Sequence, residues 1–276
     1  MGLLRTLWFF FSLTISLSLL LFVAYPGLLL VIVWDRLWSI GGSRHRERAY
    51  AWNLRWSDRV LSVFCWLMRC RFEFCLPIRA GGEPAPAVVV ANHRSSFDIL
   101  IMHAALRRMG YRKVRGVAKR DVAAMPVIGR AASEAGCAFL SRLGNDVRDL
   151  EAVRRCAEGA KEDGACLLIF PEGTTYHNAA FVSSRIGEYR NVLPPRAGGM
   201  RVLQEVVGDW PVLSITADWG DIEGADTIFT LEPLLGRTVT VEAQFIPGPQ
   251  GQAIEAWLNE EWRRKDRLIE ALRAGA

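Results

Sequence analysis

From Thr6 to Trp34 the chain carries no charged residue, a run of 29. As one helix this run would reach about 44 Å, against a bilayer hydrocarbon core of about 30 Å. Two full crossings need about 40 residues and do not fit. One tilted span fits, and so does a re-entrant hairpin breaking at Tyr25-Pro26-Gly27. A cleaved signal peptide is the poorer reading: Arg5 alone supplies the n-region, the apolar stretch is too long, and no small-residue cleavage site follows. Positive charge then collects on one side, at Arg36, Arg44, Arg46, Arg48, Arg55 and Arg59, which places that side in the cytoplasm.

The next segment, 50–68, repeats Trp52, Trp56, Val60, Phe64 and Leu67 at helical spacing, while Asn53, Asp58 and Arg59 fall on other faces. Two readings stand level here: a helix lying in the membrane interface, or a core helix packed on the domain. The expected organisation is therefore a membrane anchor at 1–40, an amphipathic segment at 41–70 and one folded domain at 71–276.

A net charge of +5 would suit an anionic membrane, an anionic substrate or nucleic acid. The basic residues are spread along the chain, and the aromatics cluster in the anchor instead of interleaving with arginines, so no nucleic-acid partner is expected. The six cysteines form no CxxC pair, and none has a histidine at zinc-ligand spacing. They read as reduced core thiols.

From Arg71 onward, apolar β-rich runs alternate with helical patterns. Strands are expected at 72–76, 87–91, 114–118, 137–140, 166–170, 212–216 and 239–245, and helices at 97–109, 146–162 and 253–272. Buried strands alternating with helices predict an α/β fold: a mixed, largely parallel sheet flanked by helices, preceded by the membrane helix or helical hairpin. The stretch 173–195 lacks periodicity and reads as a loop.

The strand at 87–91 runs directly into Asn92-His93-Arg94-Ser95-Ser96-Phe97-Asp98. Residues at the carboxyl end of a strand in an open α/β sheet stand at the usual ligand crevice. Ser95 or Ser96 is expected to cap the following helix, which puts Asp98 in its first turn beside His93. A carboxylate there holds one imidazole nitrogen and leaves the other to take a proton. Without that role, His93 and Asp98 would be ordinary helix-terminus residues. A second strand ends in Phe170-Pro171-Glu172-Gly173-Thr174-Thr175, where Pro171 stops the strand and Gly173 admits a positive φ or a close approach. Glu172 either meets a polyol or stabilises its own turn. A third cluster, Gly136 to Arg142, ends in an arginine that either grips phosphate or stands solvated in a turn. There is no Gly-x-Ser-x-Gly elbow and no phosphate loop, so a base acting on a substrate hydroxyl is implied, without a protein nucleophile.

These residues resemble the glycerolipid acyltransferase family that includes lysophosphatidate acyltransferases. The Asn-His-x4-Asp motif is matched by Asn92, His93 and Asp98, with Arg94 and Ser95 between them as supporting residues. Gly-x-x-Phe-x-x-Arg is matched by Gly136, Phe139 and Arg142, and Pro-Glu-Gly-Thr by Pro171 through Thr174. Trp210-Pro211-Val212-Leu213 matches the last motif loosely. The segments 191–199 and 257–266 are similar to a branch containing a bacterial inner-membrane acyltransferase.

The resemblance implies an enzyme of the inner membrane, with its catalytic domain in the cytoplasm. The acyl donor would be acyl-CoA or acyl-carrier protein and the acceptor a lysophospholipid, first of all 1-acylglycerol 3-phosphate; no metal or other cofactor is implied. It assigns His93 and Asp98 to catalysis, and Arg142, Glu172, Gly173 and Thr174 to the acceptor. Thr175 and Tyr176 stand where the family usually has an arginine and a small hydroxyl residue, which leaves room for another lipid acceptor. It also leaves Arg190 or Arg196 as alternative cations. The rival of another class is a non-catalytic lipid-holding membrane protein, for which a histidine base would have no use.

Overall fold

The computed structural model describes residues 2–38, 43–77, 82, 84–141, 147–175, 188–220 and 229–274. Most of the loop expected at 173–195 lies outside the described residues, as does Arg142.

The apolar run forms one continuous helix, α1 (Gly2–Leu37), and not a hairpin. Pro26 has no N–H to give to the preceding turn, and its ring crowds the carbonyl four residues back. The helix absorbs this by widening into a π-turn over Leu19–Ala24, in which the Tyr25 N–H reaches Leu20 O. The next helix, α2 (Ser43–Met68), returns antiparallel to α1 along most of its length. Near one end Trp8 Nε1 donates to Leu67 O at 2.7 Å. Midway, Leu28 and Ile32 pack with Trp52 and Ala131, and at the other end Asp35 meets His45. Leu54, Leu61, Phe64 and Met68 of α2 belong to the main core, so this face is that of a core helix, while Trp66 stays 78% exposed on the other side.

All seven expected strands form, at most two residues from their expected ends: β1 (Arg71–Cys75), β2 (Val88–Ala91), β3 (Val114–Lys119), β4 (Ala138–Leu140), β5 (Cys166–Ile169), β6 (Val212–Asp218) and β7 (Thr238–Ile246). They make one sheet in the order β1-β7-β6-β2-β5-β3-β4. Pairing is parallel everywhere except between β6 and β7. Val89 and Ala91 of β2 face α2 and α3 (Asp98–Arg108). Val88 and Val90 face α6 (Val147–Asp163), α7 (Ala197–Val207) and α8 (Ile254–Ala274). Burial on both faces explains why these strands read as unbroken apolar runs. Among the described residues, three α-helices were not anticipated. Two, α4 (Arg120–Ala123) and α5 (Ile128–Glu134), are too short for periodicity to register. The third, α7, opens on Ala-Gly-Gly, with two poor helix formers and no side-chain cap.

The order β6-β2-β5-β3 has a direct consequence for the site. These four strands are mutually parallel, so their carboxyl ends share one edge. Trp219 follows β6, His93 follows β2, Phe170–Thr174 follow β5, and Lys119 ends β3.

Candidate active site

Asn92 leaves β2 buried, and its side chain acts as a strand partner. Nδ2 donates to Ala217 O at 3.0 Å, and Ala217 N donates to Oδ1 at 2.8 Å. This amide latch fixes where the chain turns off the sheet. His93 comes next, its Nδ1 3.0 Å from Asp98 Oδ2. The Asp98 side chain is fully buried, and its carboxylate is encircled by donors. Oδ2 also accepts from Arg94 N (2.6 Å) and Ser95 N (2.8 Å), and Oδ1 accepts from Trp219 Nε1 at 3.0 Å. With those donors in place the carboxylate can only accept from Nδ1, so the ring proton sits there and Nε2 offers its lone pair. The His93 side chain is 18% exposed, and Nε2 has no partner among the described residues. Phe170 stacks on the ring at 4.3 Å and 25°.

The helix cap differs from expectation. Phe97, not a serine, occupies the N-cap of α3, with no side-chain bond. Among the described residues, Ser95 Oγ takes only the Phe97 N–H, at 3.3 Å. Asp98 reaches back from inside the helix to the N–H groups of Arg94 and Ser95, so the carboxylate that orients His93 also closes the turn. Arg94 itself is buried.

The Pro-Glu-Gly-Thr turn lies one strand over. Glu172 is 1% exposed and faces inward beneath the His93 turn, not into the open crevice. Its Oε1 accepts from His93 N at 3.2 Å and from Trp262 Nε1 at 3.3 Å. Burial pushes its carboxyl up to about 8. Gly173 has φ +68°, where a side chain would be strained, and a Cβ there would touch Arg196. Thr174 is buried, and its Oγ1 accepts from Lys119 Nζ at 3.2 Å. In the third cluster, Gly136 (φ +71°) makes room for Arg115: a Cβ would stand 2.6 Å from Nη1 of that guanidinium. Arg115 is in turn held by Asp163 and Tyr50 at 2.6 and 2.7 Å.

A family model for the acyltransferase domain matches residues 79–218. The chain belongs to the acyltransferase family. It is 22% identical over 198 residues to a 1-acyl-sn-glycerol-3-phosphate acyltransferase of Neisseria gonorrhoeae, covering 70% of this chain and 72% of that one. It is 37% identical over 112 residues to a lyso-ornithine lipid O-acyltransferase of Pseudomonas aeruginosa, covering 40% of each. Its fold is similar to the crystal structure of the 1-acyl-sn-glycerophosphate acyltransferase PlsC of Thermotoga maritima. The TM-score is 0.62 at 20% identity, covering 99% of this chain and 96% of that one.

Several residues around this candidate site carried no individual role in the sequence pattern. Trp219 and Trp262 hold the two carboxylates, and Phe170 holds the ring. Lys265 is sealed inside α8, with Nζ 2.7 Å from Ile215 O, 2.6 Å from Ser214 Oγ and 3.3 Å from Val90 O. It thus joins β6 to β2 just behind the site, and burial lowers its ammonium to about 8. Asp266 accepts from Asn191 N at 2.6 Å and from Arg190 N at 3.1 Å, so the two branch-like segments bind each other. Lys119 did leave a signal: it ends a strand at the same edge as His93.

Proposed function

We propose that the protein moves a fatty acyl group from an acyl thioester to the free hydroxyl of a lysophospholipid, with 1-acylglycerol 3-phosphate giving phosphatidate. The observation that carries this reading is the His93–Asp98 pair, held by four donors to the carboxylate at a shared strand edge. In the reaction the acceptor oxygen attacks the thioester carbonyl carbon while Nε2 of His93 takes the hydroxyl proton. A C–O bond forms, the tetrahedral intermediate collapses, and the C–S bond breaks. The proton then passes from Nε2 to the leaving thiolate of coenzyme A or acyl-carrier protein. Asp98 keeps Nδ1 protonated throughout, so the imidazolium formed in the first step lies against a carboxylate. General-base help of this kind supplies about 10²–10⁴ in rate, and positioning supplies much of the rest.

The same reading places the protein at a membrane, where its lipid acceptor resides. α1 is long and apolar enough to cross a bilayer, yet it is docked on α2 near both ends. We take its outward face as the membrane contact, with the catalytic domain on the cytoplasmic side, where the arginines after Trp34 lie. A second acceptor class has an observation of its own in favour: Thr175 stands at the position of the family's usual arginine. A lyso-ornithine lipid, as in the name of the Pseudomonas relative, is that alternative.

Membranes carrying the protein, given labelled oleoyl-CoA or oleoyl-acyl-carrier protein with a panel of lysolipids, test the proposal. His93→Ala should abolish transfer while leaving expression and membrane association intact. Near-normal turnover in that variant would sink the mechanism.

A further inference from the structure

The turn after Pro-Glu-Gly-Thr lacks the arginine expected at Thr175, but the chain brings another arginine to the same place from the opposite direction. Of the two candidates near the long loop, Arg190 is turned away. Its side chain is 85% exposed and pairs with Glu270 of α8, while its backbone N–H is bound to Asp266. Arg196 is turned inward. Its N–H donates to Pro171 O at 2.8 Å, which seats residue 196 against the turn. Its side chain then runs across Gly173: a Cβ on that glycine would lie 3.6 Å from Arg196 Cδ and 3.8 Å from Nε. On the next residue, Thr174 Oγ1 carries Lys119 Nζ. Two cationic side chains therefore meet consecutive residues of one turn, on the strand adjacent to the one that delivers His93.

We propose that Arg196 recognises the acceptor, its guanidinium beside Gly173 taking the phosphate monoester of the lysolipid in place of the arginine missing at Thr175. The proposal rests on the acyl-transfer reading and names the residue that gives that reaction its phosphate preference. An arginine fork offers paired N–H donors that match two phosphate oxygens, and an ammonium such as that of Lys119 adds charge from the side.

The test uses the full-length enzyme in detergent micelles with oleoyl-CoA and oleoyl-acyl-carrier protein as donors. Two acceptors differ only in the headgroup: 1-oleoylglycerol 3-phosphate and 1-oleoylglycerol. In Arg196→Gln the KM for the phosphate-bearing acceptor should rise about ten- to a hundredfold, as expected for a lost charge-assisted hydrogen bond. The donor KM and the constants for 1-oleoylglycerol should stay within about twofold of wild type. Arg196→Lys should recover part of the loss, because a point charge cannot reproduce the fork. An unchanged KM for the phosphate acceptor in Arg196→Gln overturns the assignment. So does an equal rise for both acceptors, which would report damage to the turn. Wild-type enzyme that acylates neither acceptor overturns 1-acylglycerol 3-phosphate as the acceptor, and the Arg196 assignment with it. Wild-type preference for the phosphate acceptor that survives in Arg196→Gln removes Arg196 alone.

Discussion

At the scale of single residues, the site is held by carboxylates that face inward. Glu172 Oε1 serves two donors, the His93 N–H and the Trp262 indole, and burial keeps much of that carboxyl protonated near neutral pH. A glutamine offers the same carbonyl oxygen with no charge. Glu172→Gln should therefore keep most of the turnover and melt within a few degrees of wild type. Glu172→Ala strands two buried N–H groups, which costs about 1–3 kcal/mol each, and should lose both stability and turnover. Thermal melts alongside steady-state rates decide it, and indistinguishable behaviour of the two variants would remove the carbonyl from the account. The same residues show how far the sequence could be read. Asn92, His93 and Asp98 lie within seven consecutive positions, and so one turn suffices to bring them together. Trp219 stands 121 residues from Asp98, and Trp262 stands 90 from Glu172. Only the strand order and the docking of α8 create those bonds, and neither leaves a local pattern.

At the scale of elements, strands announced themselves because β2, β5 and β6 are buried on both faces. Helix α7 did not, since its stability comes from packing and its first turn is glycine-rich. The joint between α1, α2 and α5 was equally hidden, although its chemistry is explicit. His45 of α2 contacts Asp35 of α1 through Nδ1 at 2.8 Å and Glu134 of α5 through Nε2 at 2.7 Å. Arg48 also reaches Asp35, and Arg130 reaches Glu134. Burial pulls the imidazole down, but the hydrogen bonds and charges of Glu134 and Asp35 outweigh it, and His45 stands above its ordinary 6.5. A raised histidine stabilises fully below its unfolded value and loses that contribution as pH rises through its folded value. The joint should therefore weaken from about pH 6.5 upward, with a fall in Tm on the order of a few degrees. Glu172 and Lys265 titrate elsewhere in the fold with opposite signs, so the informative quantity is the difference between wild type and His45→Gln. Parallel Tm-versus-pH curves for the two proteins would show that His45 carries no such linkage.

At the scale of the whole molecule, the expected anchor and the expected domain share a boundary that sequence alone could not show. An uncharged run reads the same whether a helix stands free in lipid or leans on protein, because both surroundings select apolar side chains. The structure separates two faces of α1. Phe9, Leu13, Leu28 and Ile32 are buried against the domain, whereas Leu4, Phe22, Leu30 and Leu37 are each at least 70% exposed. If the outward face is the membrane contact, charge placed there should detach the protein without unfolding it. Phe22→Glu with Leu30→Glu removes two large apolar groups, each contributing about 1.5–3 kcal/mol when buried. Binding to phosphatidylethanolamine–phosphatidylglycerol vesicles should fall by about 10² or more, at a Tm close to wild type. Leu13→Glu should do the reverse, since an unpaired carboxylate on the inward face strikes the fold first: its Tm should drop steeply even in detergent, where no vesicle is present. Vesicle cosedimentation paired with melting curves separates the faces. Undiminished vesicle binding by the outward double variant would mean that the bilayer meets this protein somewhere other than α1.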